Sequence, residues 1–68
     1  MQEEVLNTSL RKFLKTVGVT SQREIEKAIR DAVASGKIKG NEALKAKMVL
    51  TIGEVGLDHT IESRIELE

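Results

Sequence analysis

The chain has 68 residues, 32% of them charged, with Lys and Arg balancing Asp and Glu to a net charge of zero; it carries one Phe, one His, no Pro and no Cys. A length of this order makes one small domain, which buries roughly 60% of its unfolded surface and has little stability to spare. Without Cys there is neither a disulfide staple nor a thiolate metal site, no apolar run reaches the roughly 20 residues of a membrane span, and the composition is that of a folded chain.

The N-terminus, MQEEV, is acidic and lacks the basic-then-apolar order of a secretion signal, so a cytoplasmic protein is expected. Val5, Leu6, Leu10, Phe13, Leu14 and Val17 recur at helical spacing, which predicts a first helix over residues 3–17. Glu3 and Glu4 suit the positive end of its dipole, and Gly18 predicts its end. The connection Gly18-Val19-Thr20 is short enough for a helical hairpin or a helix-turn-helix corner.

A second helix is expected over about residues 22–35. Ser21 and Glu24 have the three-residue separation of a capping box. Ile25, Ala28, Ile29, Ala32 and Val33 form one apolar face, and Gly36 supplies the left-handed residue beyond the helix end. Arg23, Lys27 and Arg30 share a stripe on the outer face, where Glu26–Arg30 and Lys27–Asp31 are i,i+4 pairs. Lys37 and Lys39 follow the helix end. The stretch Gly36-Lys37-Ile38-Lys39-Gly40 has glycines and lysines in common with a phosphate loop, but its spacing is wrong and it follows a helix, not a strand.

Gly40-Asn41 signals a turn, and Asn41 predicts one short helical turn over Glu42 to Lys45. Residues 47–52, KMVLTI, are apolar and β-branched without helical spacing, which predicts a strand. Residues 53–56 form a hairpin-type loop. Residues 57–67 alternate, with Leu57, His59, Ile61, Ser63, Ile65 and Leu67 on one face and Asp58, Thr60, Glu62, Arg64 and Glu66 on the other, as in a strand with one wet side. The expected fold is α+β, a single domain over residues 1–68 in the order helix-helix-strand-strand, with two N-terminal helices packed on a C-terminal antiparallel β-hairpin.

Charge is unevenly spread. Residues 11–47 carry ten Lys/Arg against four acids, and residues 48–68 carry Arg64 against five. Oppositely charged elements lying side by side, in one copy or between two, account for this most simply; a basic face for an acidic partner is the sharper alternative. His59 reads as a strand residue at a sheet edge, and the carboxylates at 54, 58, 62 and 66 as a solvated face without the ligand spacing of a calcium loop. No nucleophile has both a base and an orienting acid, so no catalytic residue, cofactor or metal is expected.

Residues 11–40, RKFLKTVGVTSQREIEKAIRDAVASGKIKG, continuing into AKMVLTIGEVGLDHTIESRIELE, resemble a family of short, functionally uncharacterised proteobacterial proteins of about 70 residues. That resemblance implies a bacterial source and no mechanism. A helix, Gly18-Val19-Thr20, a second capped helix and then a hairpin is also similar to winged-helix DNA-binding domains. That similarity implies Arg23, Lys27 and Arg30 facing nucleic acid, with Lys37 and Lys39 on phosphates. The acidic hairpin opposes such contacts. The expected role is therefore a small non-enzymatic protein-interaction module, able to self-associate, with a protein partner contacted by Arg23, Lys27, Arg30, Lys37 and Lys39. Nucleic-acid binding by the same residues is the alternative.

Overall fold

A computed structural model describes residues 1–68. It contains one α-helix, α1 (Glu3–Ala34), then strand β1 (Ala43–Ile52), a 3₁₀ turn (Gly53–Val55) and strand β2 (Leu57–Glu66). The order helix-helix-strand-strand is thereby corrected to helix-strand-strand: there is one helix where two were expected. The chain divides into two units, Met1–Lys37 and Ile38–Glu68, and each is described by itself.

In the first unit, α1 passes through the position where a corner was expected. Gly18, Val19 and Thr20 are helical, and Ser21 and Glu24 lie inside the helix, not at its start. The physical reason is the cost of interruption. A break at Gly18 would leave four carbonyls and four N–H groups without helical partners. Keeping Gly in a helix costs only about 1 kcal/mol relative to Ala. No Pro forces an end, and Phe13, Val17, Ile25 and Ala28 keep helical spacing on either side of the small polar Ser21. The capping box is idle because an internal N–H at Ser21 or Glu24 already bonds the carbonyl four residues back. The hydroxyl of Thr16 donates to the Lys12 carbonyl at 3.1 Å, a local bond that satisfies a polar β-branched side chain within the helix.

The ends of α1 are built differently. At the N-terminus, Gln2 makes no side-chain cap, and Glu3 and Glu4 occupy the first turn. At the C-terminus, the N–H of Gly36 donates to the Val33 carbonyl (3.1 Å) and that of Lys37 to the Ala32 carbonyl (2.9 Å). These two bonds make a Schellman cap, with Gly36 at φ 78° as expected from its position.

In the second unit, β1 and β2 pair antiparallel, from Ala43 opposite Glu66 to Ile52 opposite Leu57. The expected hairpin is present, but its first strand starts at Ala43 and not at residue 47. The short helical turn expected over Glu42–Lys45 is replaced by strand. Leu44 and Ala46 alternate with Lys45 and Lys47, and their partners Ile65 and Ser63 continue the apolar face of β2. Neither unit, taken by itself, buries a residue.

Candidate interaction surfaces

Arg23, Lys27 and Arg30 lie on α1 at i, i+4 and i+7, so they share one face of the helix. Of the two expected i,i+4 pairs, Glu26–Arg30 closes at 3.7 Å and Lys27–Asp31 does not. Gln22 donates to the same Glu26 carboxylate at 3.2 Å, so one acid ties residues 22 and 30 along the helix. Exposed pairs of this kind contribute at most about 0.3–0.5 kcal/mol, and Arg30 keeps most of its surface in water. Lys37 completes the helix cap through its backbone, which leaves its ammonium at the helix end. Lys39 belongs to the second unit. Four of the five expected contact residues therefore sit on or directly after α1.

The Lys39–Glu42 segment is ordered by the carboxylate of Glu42, a residue expected in a helical turn. Glu42 accepts from the N–H of Lys39 (2.8 Å), of Gly40 (2.8 Å) and of Asn41 (3.1 Å). The donors at Lys39 and then Gly40 hold its carboxyl below the usual Glu range. The loop that shares residue types with a phosphate site is thus an anion cradle, and the chain's own carboxylate fills it. Short, successive N–H groups ahead of a strand carry this geometry, and no spacing in the sequence announces it.

The hairpin has two chemically distinct faces. Leu44, Met48, Leu50 and Ile52 line up with Ile65, Ile61, His59 and Leu57 on one face. His59, opposite Leu50, is exposed on this apolar face. On the other face Lys47 stands opposite Glu62 and Thr51 opposite Asp58, while Lys45 stands opposite Arg64. Of the acids expected on the wet face of β2, Glu62 alone stands opposite a lysine, Lys47. A shallow recess of about 300 Å³ lies at Lys45, Lys47, Glu62 and Arg64. No group of three or more His, Cys, Asp or Glu residues is placed to hold a metal ion.

Both units leave apolar side chains in water. On α1, Leu6 is 38% exposed, Leu10 43%, Phe13 51% and Leu14 58%; on the hairpin, Ile61 is 52% exposed. Further along α1, Val17, Ser21, Ile25, Ile29 and Ala32 are half-buried. No helix is long and apolar enough to cross a membrane. Over residues 1–68 the chain matches the model of one protein family, described as a family of unknown function (DUF6494). No curated protein and no solved structure matches it.

Proposed function

This chain belongs to the DUF6494 family of unknown function, and we propose that it is a small non-enzymatic protein-interaction module of a bacterial cytoplasm, completed by the protein it binds. One observation carries the proposal: taken by itself, neither α1 nor the hairpin buries a residue, and each has an apolar face. A two-stranded hairpin is marginal in water, and a helix owes most of its stability to packing of its apolar face. A chain with both elements in this state gains free energy from a covering surface, at about 25 cal/mol for each Å² of apolar area removed from water. Arg23, Lys27 and Arg30, on the face of α1 away from its apolar stripe, and Lys37 and Lys39 after the helix supply separate basic contacts for an acidic partner. The bacterial cytoplasm is an expectation from the sequence.

The test is urea unfolding followed by circular dichroism, at dilutions where light scattering finds the chain monomeric. The expected result is a broad, non-cooperative loss of signal from the uncovered monomer. A sharp two-state transition in the monomer would overturn the proposal, because the chain would then be complete without a partner. Reversing charge at Arg23, Lys27 and Arg30 together is expected to weaken association by raising the dissociation rate or lowering the association rate. Unchanged association would remove these residues from the contact. Nucleic-acid binding is the other outcome to look for. It lost the helix-turn-helix corner that suggested it, and it would show as affinity for DNA that falls steeply with salt.

A further inference from the structure

The sheet has two strands, so each strand has one edge whose backbone N–H and C=O groups have no strand to pair with. The two edges differ. The only charges on β1 are Lys45 and Lys47, and lysine on an edge works against further pairing. β2 carries Asp58, Glu62, Arg64 and Glu66, and all of it except Ile65 is exposed. A second β2 can join this edge in few ways. Joined parallel, edge to edge, the second hairpin turns over, and the two apolar faces end on opposite sides of the sheet. Joined antiparallel, both faces stay on one side only if odd residues pair with odd and even with even. A slip of one residue sets each apolar side chain opposite a polar one and puts outward-pointing N–H groups against inward-pointing ones.

The two-fold axis therefore falls on a residue, and charge decides which. On Thr60, Asp58 stands opposite Glu62; on Glu62, that acid meets itself and Asp58 meets Glu66. On His59 the paired strand shrinks to residues 57–61. On Ser63 it shrinks to residues 60–66, with Glu62 opposite Arg64 but Asp58 set against Glu68. On Ile61 residues 57–65 pair and no like charges stand opposite. Asp58 meets Arg64 on both sides of the axis, Thr60 meets Glu62, and Glu66 meets Gly56. On the other face Leu57 meets Ile65, His59 meets Ser63, and Ile61 meets itself. Acids of the two copies approach only across diagonals, Asp58 toward Glu62 and Glu66 and Glu62 toward its equivalent, at about 7–8 Å, where salt screens them more than the direct pairs. This register also supplies what the hairpin lacks. Arg64 has Lys45 opposite it in its own hairpin, and Asp58 has Thr51; each gains a partner of opposite charge on its free side, while Glu62 keeps Lys47. The product is a sheet of four strands in the order β1-β2-β2-β1 with one continuous apolar face, where a two-stranded sheet alone is marginal. Both of its outer edges are β1 with its lysines, so growth stops at two copies.

We propose that a second copy of this chain pairs antiparallel along the free edge of β2, with the two-fold axis at Ile61, in an isologous dimer. This rests on the reading of the chain as an interaction module and names its partner.

The test uses the full chain. Light scattering is expected to give twice the 7.5 kDa of one chain. Along one strand Asp58 and Arg64 lie about 20 Å apart and cannot meet, so a charge swap reads contact between copies. Asp58→Arg sets two arginines opposite each other on both sides of the axis and is expected to weaken dimerisation about tenfold or more. Arg64→Asp alone is expected to weaken it as well, although it removes the repulsion with Lys45 inside the hairpin. The two substitutions together restore both pairs in reverse and are expected to recover dimerisation. Because the chain has no Cys of its own, disulfide exchange between Thr60→Cys and Glu62→Cys chains reads the register, and the mixed disulfide is expected to exceed its statistical share. Unchanged dimerisation of either single variant, no recovery in the double variant, or homodisulfides in excess would overturn the proposal. So would a mass that climbs past two chains, the mark of β1 pairing with β2 of the next copy without closure. A mass that stays at one chain at all concentrations would overturn it too. If that monomer unfolds without cooperativity, the second copy falls and the interaction module stands; if it unfolds cooperatively, both fall.

Discussion

Two residues set the local geometry where α1 ends and the hairpin begins. At Gly36 the backbone is left-handed, φ 78°, and a Cβ there would meet nothing within 4 Å. Gly36→Ala therefore costs only backbone strain, about 1–2 kcal/mol. The expected loss is read as a lower urea midpoint, and an unchanged midpoint would contradict the Schellman cap. Glu42 carries a pH dependence whose sign follows from its lowered pKa. The unfolded chain lacks the N–H donors of Lys39 and Gly40, so the folded pKa lies below the unfolded one. The stabilisation is present above the ordinary Glu value and is lost as pH falls through the depressed folded value. NMR titration is expected to show the Glu42 carboxyl protonating below the ordinary Glu range, with the amide shifts of Lys39 and Gly40 following it. Titration at the ordinary value would remove the cradle. Gly36 was legible in the sequence because it follows an apolar stripe directly. Glu42 was not, because its donors lie one to three residues earlier and converge only once the turn has formed.

Among the elements, α1 and β1 are where sequence and structure diverge, for different reasons. The stretch Thr16 to Ser21 combines a Gly with β-branched residues, which suits a turn and is also tolerated inside a helix. Continuity is decided by the backbone groups that a break would orphan. Two substitutions separate the cases. Gly18→Ala is expected to raise helix stability by roughly 0.5–1 kcal/mol, and Ser21→Ala to be neutral or slightly stabilising, where loss of a true N-cap would cost about 1 kcal/mol. Thermal melts followed at the helical signal check both, and a destabilising Ser21→Ala would restore the cap. In β1, residues 43–46 are short on β-branched side chains and read as a turn, and it is pairing with Ser63–Glu66 that extends the strand over them. That pairing also sets Lys45 opposite Arg64. Like charges directly opposite oppose sheet formation, so Lys45→Glu is expected to stabilise the hairpin by up to about 1 kcal/mol, with the gain shrinking at high salt. A variant less stable than the parent at low salt would show that the repulsion is already relieved by solvent.

For the whole molecule, the consequence of an uncovered pair of amphipathic elements is a stability tied to concentration. If a second copy joins along β2, each tenfold rise in protein concentration adds about 1.4 kcal/mol to the free energy of unfolding per dimer, and the urea midpoint rises accordingly. A concentration-independent midpoint from micromolar upward would contradict the dimer. The sequence carried everything that is periodic: the helical stripe on both sides of Gly18, the alternation of β2, the hairpin itself and the glycine that closes the helix. These follow from local rules, since the spacing of apolar side chains and the φ of a glycine are properties of neighbouring residues. The length of α1, the start of β1 and the filling of the anion cradle by Glu42 were settled in three dimensions. Each depends on where a backbone N–H or carbonyl finds its partner: four residues back along a continuous helix, across a strand pair, or in a carboxylate that turns back on its own loop. Such choices compare whole arrangements of the chain, and no single window of residues contains the alternatives.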